Sequence, residues 1–278
     1  MKPPPFEYHA PATVEEALQL LAGGNGTYAL AGGQSLVQLM KFRQVKPSAL
    51  VDLNGISGLD VLEEREGELH VGALVRQQRM LGDELVGEGW PLLREAARFV
   101  GYKETRRRGT VGGSLAFAAP WAELTAAAVA LDAQVDVRST NADRTIAARS
   151  FFRGPNETVL EPGELIVRVR FPAPRARSGA AFHEVSDRYR DYCQVAAAAV
   201  VSLDGSAQLA LLRVAKTPYH VDASGALEDE GALEGLLASI EPEDDIEVSA
   251  AHRRRVAPVL ARRALRDAIA DARRKENV

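Results

Sequence analysis

The sequence predicts an α+β protein, with short strands and helices interleaved but little strict strand–helix–strand repetition. Three observations carry that prediction. Runs of helical spacing, such as Val14, Ala17, Leu18 and Leu21, alternate with short strand-like runs, the clearest being Leu165 to Phe171. Glycine and proline punctuate these runs at short intervals. Past Pro172–Ser178, a segment with two prolines and two arginines, the texture changes to a meander of apolar strands closed by helices. A chain of 278 residues is long for one compact domain, so two are expected, 1–175 and 176–278.

In chain order, Phe6–His9 reads as a short edge strand. Thr13 with Glu16 reads as a capping box opening a helix that stops at Gly23-Gly24. Tyr28–Leu30 is a strand that runs into Ala31-Gly32-Gly33-Gln34-Ser35, and Leu36, Val37, Leu39 and Met40 begin a helix. Leu50–Leu53 and Leu69–Leu74 are strands, the second leading to a short helix ending near Gly82. Pro91 opens a helix to Phe99. Arg106-Arg107-Arg108 then leads into Gly109-Thr110-Val111-Gly112-Gly113-Ser114, and Ala122–Leu131 is helical. Val135–Val137 and Arg144–Ile146 pair as strands. Beyond the linker, Ala181–Val185, Val195–Leu203 and Gln208–Val214 form the meander, with helices over about Gly225–Ile240 and Ser249–Arg274.

Composition narrows the chemistry. With 46% hydrophobic and 26% charged residues and a net charge of −4, nothing favours nucleic acid or an anionic membrane. The amino-terminal residues lack a signal-peptide core and no stretch approaches a membrane span, so a cytoplasmic protein is expected. Cys193 is the only cysteine, so an internal disulfide is impossible and this chain alone cannot supply the cysteines of an iron–sulfur cluster. The five histidines show no HxH or HxxxH spacing, which argues against a bound metal. His183 and His220 have no acid or nucleophile partner recognisable in the sequence, so no catalytic residue is assigned. Any redox chemistry therefore needs an organic cofactor here and metal centres on other chains.

The two glycine loops are the candidate ligand site. Adjacent glycines allow φ > 0 and bring backbone N–H groups close to an anion. A strand–glycine turn–helix unit suits phosphate, and two such loops suggest two grips on one diphosphate. Neither loop has the G-x-G-x-x-G spacing of a dinucleotide-binding Rossmann unit. Arg106–Arg108 read either as charge beside the diphosphate or at a subunit interface, or as a solvated turn. The basic carboxy-terminal helix reads as a solvated or subunit-facing surface beside the acidic run 241–247.

Phe6-x-Tyr8-x-x-Pro11, Ala31–Leu36, Leu50–Leu53, Gly109–Gly113, Glu161-Pro162-Gly163-Glu164-Leu165 and Asp191-Tyr192 occur in an order that spans the chain. In that combination the chain resembles the FAD-binding medium subunit of molybdenum hydroxylases, a family that includes aerobic carbon monoxide dehydrogenases and the flavin portion of xanthine dehydrogenase. The resemblance implies a two-subdomain FAD domain of the vanillyl-alcohol-oxidase (PCMH) type, about 1–57 and 58–175, followed by an antiparallel sheet backed by helices. It also implies a large subunit with a molybdopterin cofactor, a small subunit with [2Fe–2S] clusters, and a dimer of heterotrimers. By position, Ala31, Gly32, Gly33, Gln34, Ser35 and Leu36 correspond to the first pyrophosphate loop. Thr110, Val111, Gly112, Gly113 and Ser114 correspond to the second. Glu123 stands where the family usually has an aspartate near the adenosine ribose. Leu160 and Tyr192 correspond to residues on the two faces of the flavin ring. Ser114 replaces a common asparagine, and Phe117, Ala118 and Ala119 replace polar or acidic residues. The other functions weighed are a stand-alone FAD-dependent oxidase of the same fold and a flavin-free assembly or structural homologue.

Overall fold

The computed structural model describes residues 2–227 and 229–276. Its first unit is a small parallel sheet of β1 (Glu7–His9), β2 (Thr27–Leu30) and β3 (Ala49–Asp52), in the order β1-β3-β2. Helix α1 (Val14–Ala22) joins β1 to β2, and α2 (Leu36–Lys41) joins β2 to β3. The two crossovers run in opposite directions along the sheet, so right-handed connections place their helices on opposite faces. Ala17 and Leu18 of α1 pack with Val51 and Leu53 in a core of their own. The Thr13 hydroxyl accepts from Glu16 N at 3.2 Å, while the Glu16 carboxylate accepts from Ala12 N at 2.9 Å, one residue before the reciprocal bond of a standard capping box. Within a mixed fold this is a miniature doubly wound sheet, too short to register as a repeat in the sequence.

The second unit is an antiparallel sheet of five strands in the order β4-β5-β10-β6-β7. These are β4 (Leu62–Arg65), β5 (Glu68–Gly72), β6 (Gln134–Arg138), β7 (Asp143–Ala147) and β10 (Leu165–Phe171). A small hairpin of β8 (Phe152–Gly154) and β9 (Glu157–Thr158) precedes β10. Between β5 and β6 run α3 (Gln77–Gly82), α4 (Glu84–Gly89), α5 (Pro91–Phe99), α6 (Lys103–Arg108), α7 (Val111–Phe117) and α8 (Glu123–Ala130). The arginine triplet thus ends a helix instead of lying in a turn, and Arg106 is buried. The charged strand β4 and the glycine-containing helix α4 give too little apolar periodicity to be expected from sequence.

The third unit is the antiparallel sheet β11 (Ser178–Val185), β12 (Val195–Ser202), β13 (Ala207–Leu212) and β14 (Tyr219–Asp222), paired in that order. Helices α9 (Glu230–Leu237) and α10 (Ala250–Glu276) follow. The helix expected over about Gly225–Ile240 is a 3-10 turn at Ser224–Ala226 and then α9, with residue 228 outside the described residues. His183 has a partner after all, Asp267 of α10 at 2.9 Å, and His220 pairs with Gln208 at 2.8 Å. Arg253, on the helix read as solvated, is buried and bonds to Asp245.

The alternation of this third sheet explains how the chain holds together. Phe182, Ala196, Ala198, Ala210 and Leu212 face the core shared with the second unit. Ala181, Val195, Ala197, Ala199, Leu209 and Leu211 face α10. With both faces covered, β12 is almost wholly alanine and valine, small enough to admit helices on either side. Helix α8 is buried along its whole length, between α5 and α7 on one side and β12 and β13 on the other. Phe182 meets Phe99 across this seam with ring centroids 5.3 Å apart. Because the core is continuous across the seam, Phe182→Ala is expected to destabilise the chain by about 3–5 kcal/mol in urea unfolding. A single cooperative transition monitored by circular dichroism and by Trp90 and Trp121 fluorescence is expected as well. Separate transitions would show that the units fold independently.

Candidate functional site

The two glycine loops touch. A Cβ added to Gly32 would lie 2.1 Å from the Arg108 carbonyl oxygen and 2.9 Å from Gly109 Cα, so only glycine allows this approach. Gly33, the next residue, has φ +73°, a left-handed conformation that curls the backbone and turns successive N–H groups to one side. Among the described residues, the backbone N–H groups of Gly33, Gln34, Ser35 and Leu36 donate to no protein acceptor. Ser35 precedes α2 without a side-chain capping bond, so its hydroxyl also remains available. A row of unpaired donors on partly exposed backbone is what a phosphate-bearing ligand requires.

The second loop is built differently. Val111 N donates to Val75 O at 3.0 Å and Gly112 N to Ala73 O at 2.9 Å. Gly113 N is capped by the Thr110 hydroxyl at 3.0 Å and Ser114 N by the Thr110 carbonyl at 3.1 Å. The Ser114 hydroxyl accepts from Gln77 Nε2 at 3.3 Å. A Cβ on Gly112 would lie 2.6 Å from Ala73 Cβ, which fixes α7 tightly against the segment after β5. Most N–H groups of this loop are therefore committed within the protein. It packs closely against the segment after β5 with its N–H groups bonded, while the first loop presents the free donors.

A polar chain missed by the sequence reading ties the loops together. Arg76 donates to the Arg108 carbonyl at 2.5 Å and to Asn54 Oδ1 at 2.6 Å. Asn54 Nδ2 in turn donates to the Ala31 carbonyl at 2.9 Å and to Asp52 Oδ1 at 2.5 Å. The Tyr8 hydroxyl donates to the other oxygen of Asp52. Burial pushes the Asp52 carboxyl up, but the Tyr8 and Asn54 hydrogen bonds and the Arg76 charge more than offset this, holding it below its ordinary value. Tyr8 and Asp52 lie in motifs quoted from the sequence, but Asn54 and Arg76 belong to none of them, so spacing alone could not expose the chain.

The remaining candidates lie elsewhere in the fold. Leu160 is half-buried against the shared core, its N–H donating to Thr158 Oγ1 at 3.2 Å. Tyr192 is 55% exposed and stacks on Trp121, centroids 4.4 Å apart, with the Arg213 guanidinium 5.8 Å from the Trp121 ring centroid. Glu123 opens α8 but is only 7% exposed, and among the described residues no hydrogen bond joins it to either glycine loop. Its titratable neighbours are Glu184 of β11 and Cys193. Glu184 has both carboxyl oxygens buried without a hydrogen-bond partner. The fold thus brings the loops together but sets Glu123 into the seam between the second and third units.

Burial raises the Glu123 carboxyl to about 8. Burial, assisted by Glu123, raises Glu184 to about 8 as well. Cys193 is pushed well above its ordinary value by burial and by the same two acids. Between an unfolded value of about 4.5 and the folded value of about 8, the native state retains protons that the unfolded chain has lost. Stability is therefore greatest below the unfolded value and falls as pH rises through that window, by up to about 1.4 kcal/mol per pH unit for each fully differential proton. Urea midpoints measured from pH 5 to 9 should decline for the natural chain and decline less for Glu123→Gln and Glu184→Gln; equal slopes in all three would contradict the assignment.

The comparisons with known proteins agree with this geometry. The family model described as "FAD binding domain in molybdopterin dehydrogenase" matches residues 4–174. The 6-hydroxypseudooxynicotine dehydrogenase complex subunit alpha of Paenarthrobacter nicotinovorans is 36% identical, covering 98% of this chain and 97% of that protein. The carbon monoxide dehydrogenase medium chain of Afipia carboxidovorans is 32% identical, covering 98% of this chain and all of that protein at 100%. Among solved structures, carbon monoxide dehydrogenase from Hydrogenophaga pseudoflava superposes with a TM-score of 0.93 at 32% identity, covering 98% of this chain and 99% of that one. Quinoline 2-oxidoreductase from Pseudomonas putida 86 gives 0.90 at 35% identity, with 98% and 99% covered. The donor row at Gly33–Leu36, backed by a rigid second loop, fits the diphosphate of FAD.

Proposed function

The chain belongs to the FAD-binding domain family of molybdopterin dehydrogenases, as a medium subunit like that of carbon monoxide dehydrogenase, and we propose that it carries electrons out of a three-subunit complex. In this reading they arrive from [2Fe–2S] clusters of a small subunit, after substrate oxidation at a molybdopterin cofactor on a large subunit, and leave for an external acceptor. The complex is a dimer of heterotrimers in the cytoplasm. No helix among the described residues is long and apolar enough to cross a membrane. We divide the chain at about 57 and 175, into two FAD subdomains and a carboxy-terminal domain.

The observation that carries the proposal is the row of unpaired N–H donors at Gly33–Leu36, set where the two glycine loops meet. FAD supplies the two-electron chemistry when bound; the protein supplies position and charge. Gly33, Gln34, Ser35 and Leu36 hold the diphosphate through N–H groups, with the Ser35 hydroxyl as a further donor. Thr110, Val111, Gly112, Gly113 and Ser114 form the opposing wall and fix its distance, and Gly32 allows the two to close. Leu160 and Tyr192 would border the ring, as the family resemblance implies. Glu123, protonated at neutral pH and turned into the seam, contributes to domain packing in this reading more than to a ribose contact. No side chain of this chain needs to act as acid or base, consistent with electron transfer as its task.

Purification of the native complex should yield one FAD for each copy of this chain, together with an iron–sulfur chain and a molybdenum-containing chain. Gly32→Ala, whose Cβ would collide with the Arg108 carbonyl, should strip the flavin while leaving the partner chains bound. A complex without flavin, or without an iron–sulfur partner, would contradict the proposal.

A further inference from the structure

One strongly charged surface borders the elements assigned to the cofactor and takes in Tyr192 at its edge. Helix α6 ends in Arg106, Arg107 and Arg108, immediately before Gly109 of the second loop. The segment 186–192 follows β11, whose Phe182 packs on Phe99 at the end of α5 just before α6, and Arg190 is near enough to act on the Arg106 charge. Arg106 is turned inward and donates to the carbonyls of Val100 at 2.9 Å and Gly101 at 2.6 Å. Its neighbour Arg190 has φ +65° and lies 4.8 Å from the Tyr189 ring. The buried Nε of Arg190 has no acceptor.

Around this pair, Arg107, Arg108 and Arg188 are exposed, and among the described residues none of them forms an ion pair. Elsewhere the pattern is mixed: Arg144, Arg168 and Arg170 on the second sheet and Arg262 and Arg274 on α10 are paired with acids, whereas Arg254, Arg255 and Arg263 on α10 form no ion pair among the described residues. Asp187 accepts from Gln194 and Asp191 from the Tyr192 N–H, and these two acids with Glu104 are outnumbered by Lys103, Arg106, Arg107, Arg108, Arg188 and Arg190 across α6 and the segment. Tyr189 is 71% exposed and Tyr102, which begins α6, is 59% exposed. Exposed tyrosines beside unpaired arginines have the composition of a protein-recognition surface.

The charge also distinguishes the kind of partner. Permanent subunit interfaces are mostly apolar and neutralise their charges internally. Small interfaces of electron-transfer encounters use unpaired charge to steer a partner of opposite sign. We propose that α6 and the 186–192 segment form the docking face for an acidic, one-electron protein acceptor. This rests on the reading of the chain as a flavin-bearing electron-transfer subunit. Docking there places the acceptor beside the second glycine loop and Tyr192. A bound reduced flavin would supply two electrons and release two protons to water, and two acceptor molecules binding in turn at this face would each take one electron.

The test uses the purified complex, its flavin reduced beforehand with dithionite and the excess removed. Soluble cytochrome b5, an acidic one-electron haem protein, serves as the acceptor probe, and 1,4-benzoquinone as a small neutral control. The second-order rate constant for cytochrome b5 should fall about tenfold or more between low and physiological salt, as steered association does. Arg107→Glu and Arg188→Glu should each lower it severalfold at low salt, and Arg254→Glu on α10 should not. All three variants should retain flavin, partner chains and the benzoquinone rate. A salt-independent rate, unaffected Arg107→Glu and Arg188→Glu variants, or loss of flavin or of a partner chain in them would overturn the docking face alone. A complex in which no flavin is present to be reduced would overturn the functional reading and the docking face with it.

Discussion

The contact between Gly32 and the Arg108 carbonyl is the constraint on which the site depends. It brings a loop of the small parallel sheet against the end of α6 in the second unit, two parts of the chain far apart in sequence. Arg76 and Asn54 hold the junction by bonding to the carbonyls of both sides, Arg108 and Ala31. Once these carbonyls are tied back, the loop's N–H groups turn the other way and remain unpaired. A buried or half-buried donor without a partner is costly unless a ligand or water satisfies it. The first loop therefore presents a short row of unpaired N–H groups in front of a junction held by hydrogen bonds. The two glycine loops look alike in sequence, yet one presents donors while the other consumes its own.

The second organising feature is the seam between the second and third units. Helix α8, rich in alanine, admits the sheet of β12 and β13 on one side and α5 and α7 on the other. This gives the second and third units a shared apolar core across the seam, beside separate clusters under α10 and around α1. At one end of that seam lie Glu123, Glu184 and Cys193, without the cationic hydrogen bonds that usually accompany buried acids. Their protonation at neutral pH follows from burial, which disfavours the charged form. The Trp121–Tyr192 stack joins the start of α8 to the segment before β12, with the rings 4.4 Å apart.

The sequence made much of this legible where local chemistry dictates structure. The Thr13–Glu16 capping box, the proline at the start of α5, the strand Leu165–Phe171 and the alanine-rich strand β12 each carry their own signal. A lone Gly-Gly turn is more often structural, and the two glycine loops are legible through their order along the chain with the other family residues. What stayed hidden depends on contacts across the chain. Arg106–Arg108 look like a solvated run, but Arg106 is drawn inside by the carbonyls that end α5. His183 finds Asp267 only because α10 folds back over β11. Glu123 resembles a surface acid at a helix start, and only the packing of the third unit over it explains its burial. Spacing cannot show which N–H groups tertiary hydrogen bonds will consume, so the unequal roles of the loops appear only in the fold.

The division of labour between the loops has a direct signature in amide hydrogen exchange. The complex would be compared with and without FAD, residue by residue. Gly33–Leu36 should exchange rapidly without flavin and slow markedly when it binds. Gly112–Ser114, whose N–H groups are already bonded, should be protected in both states. Protection gained at the second loop alone, or at neither loop, would contradict the account.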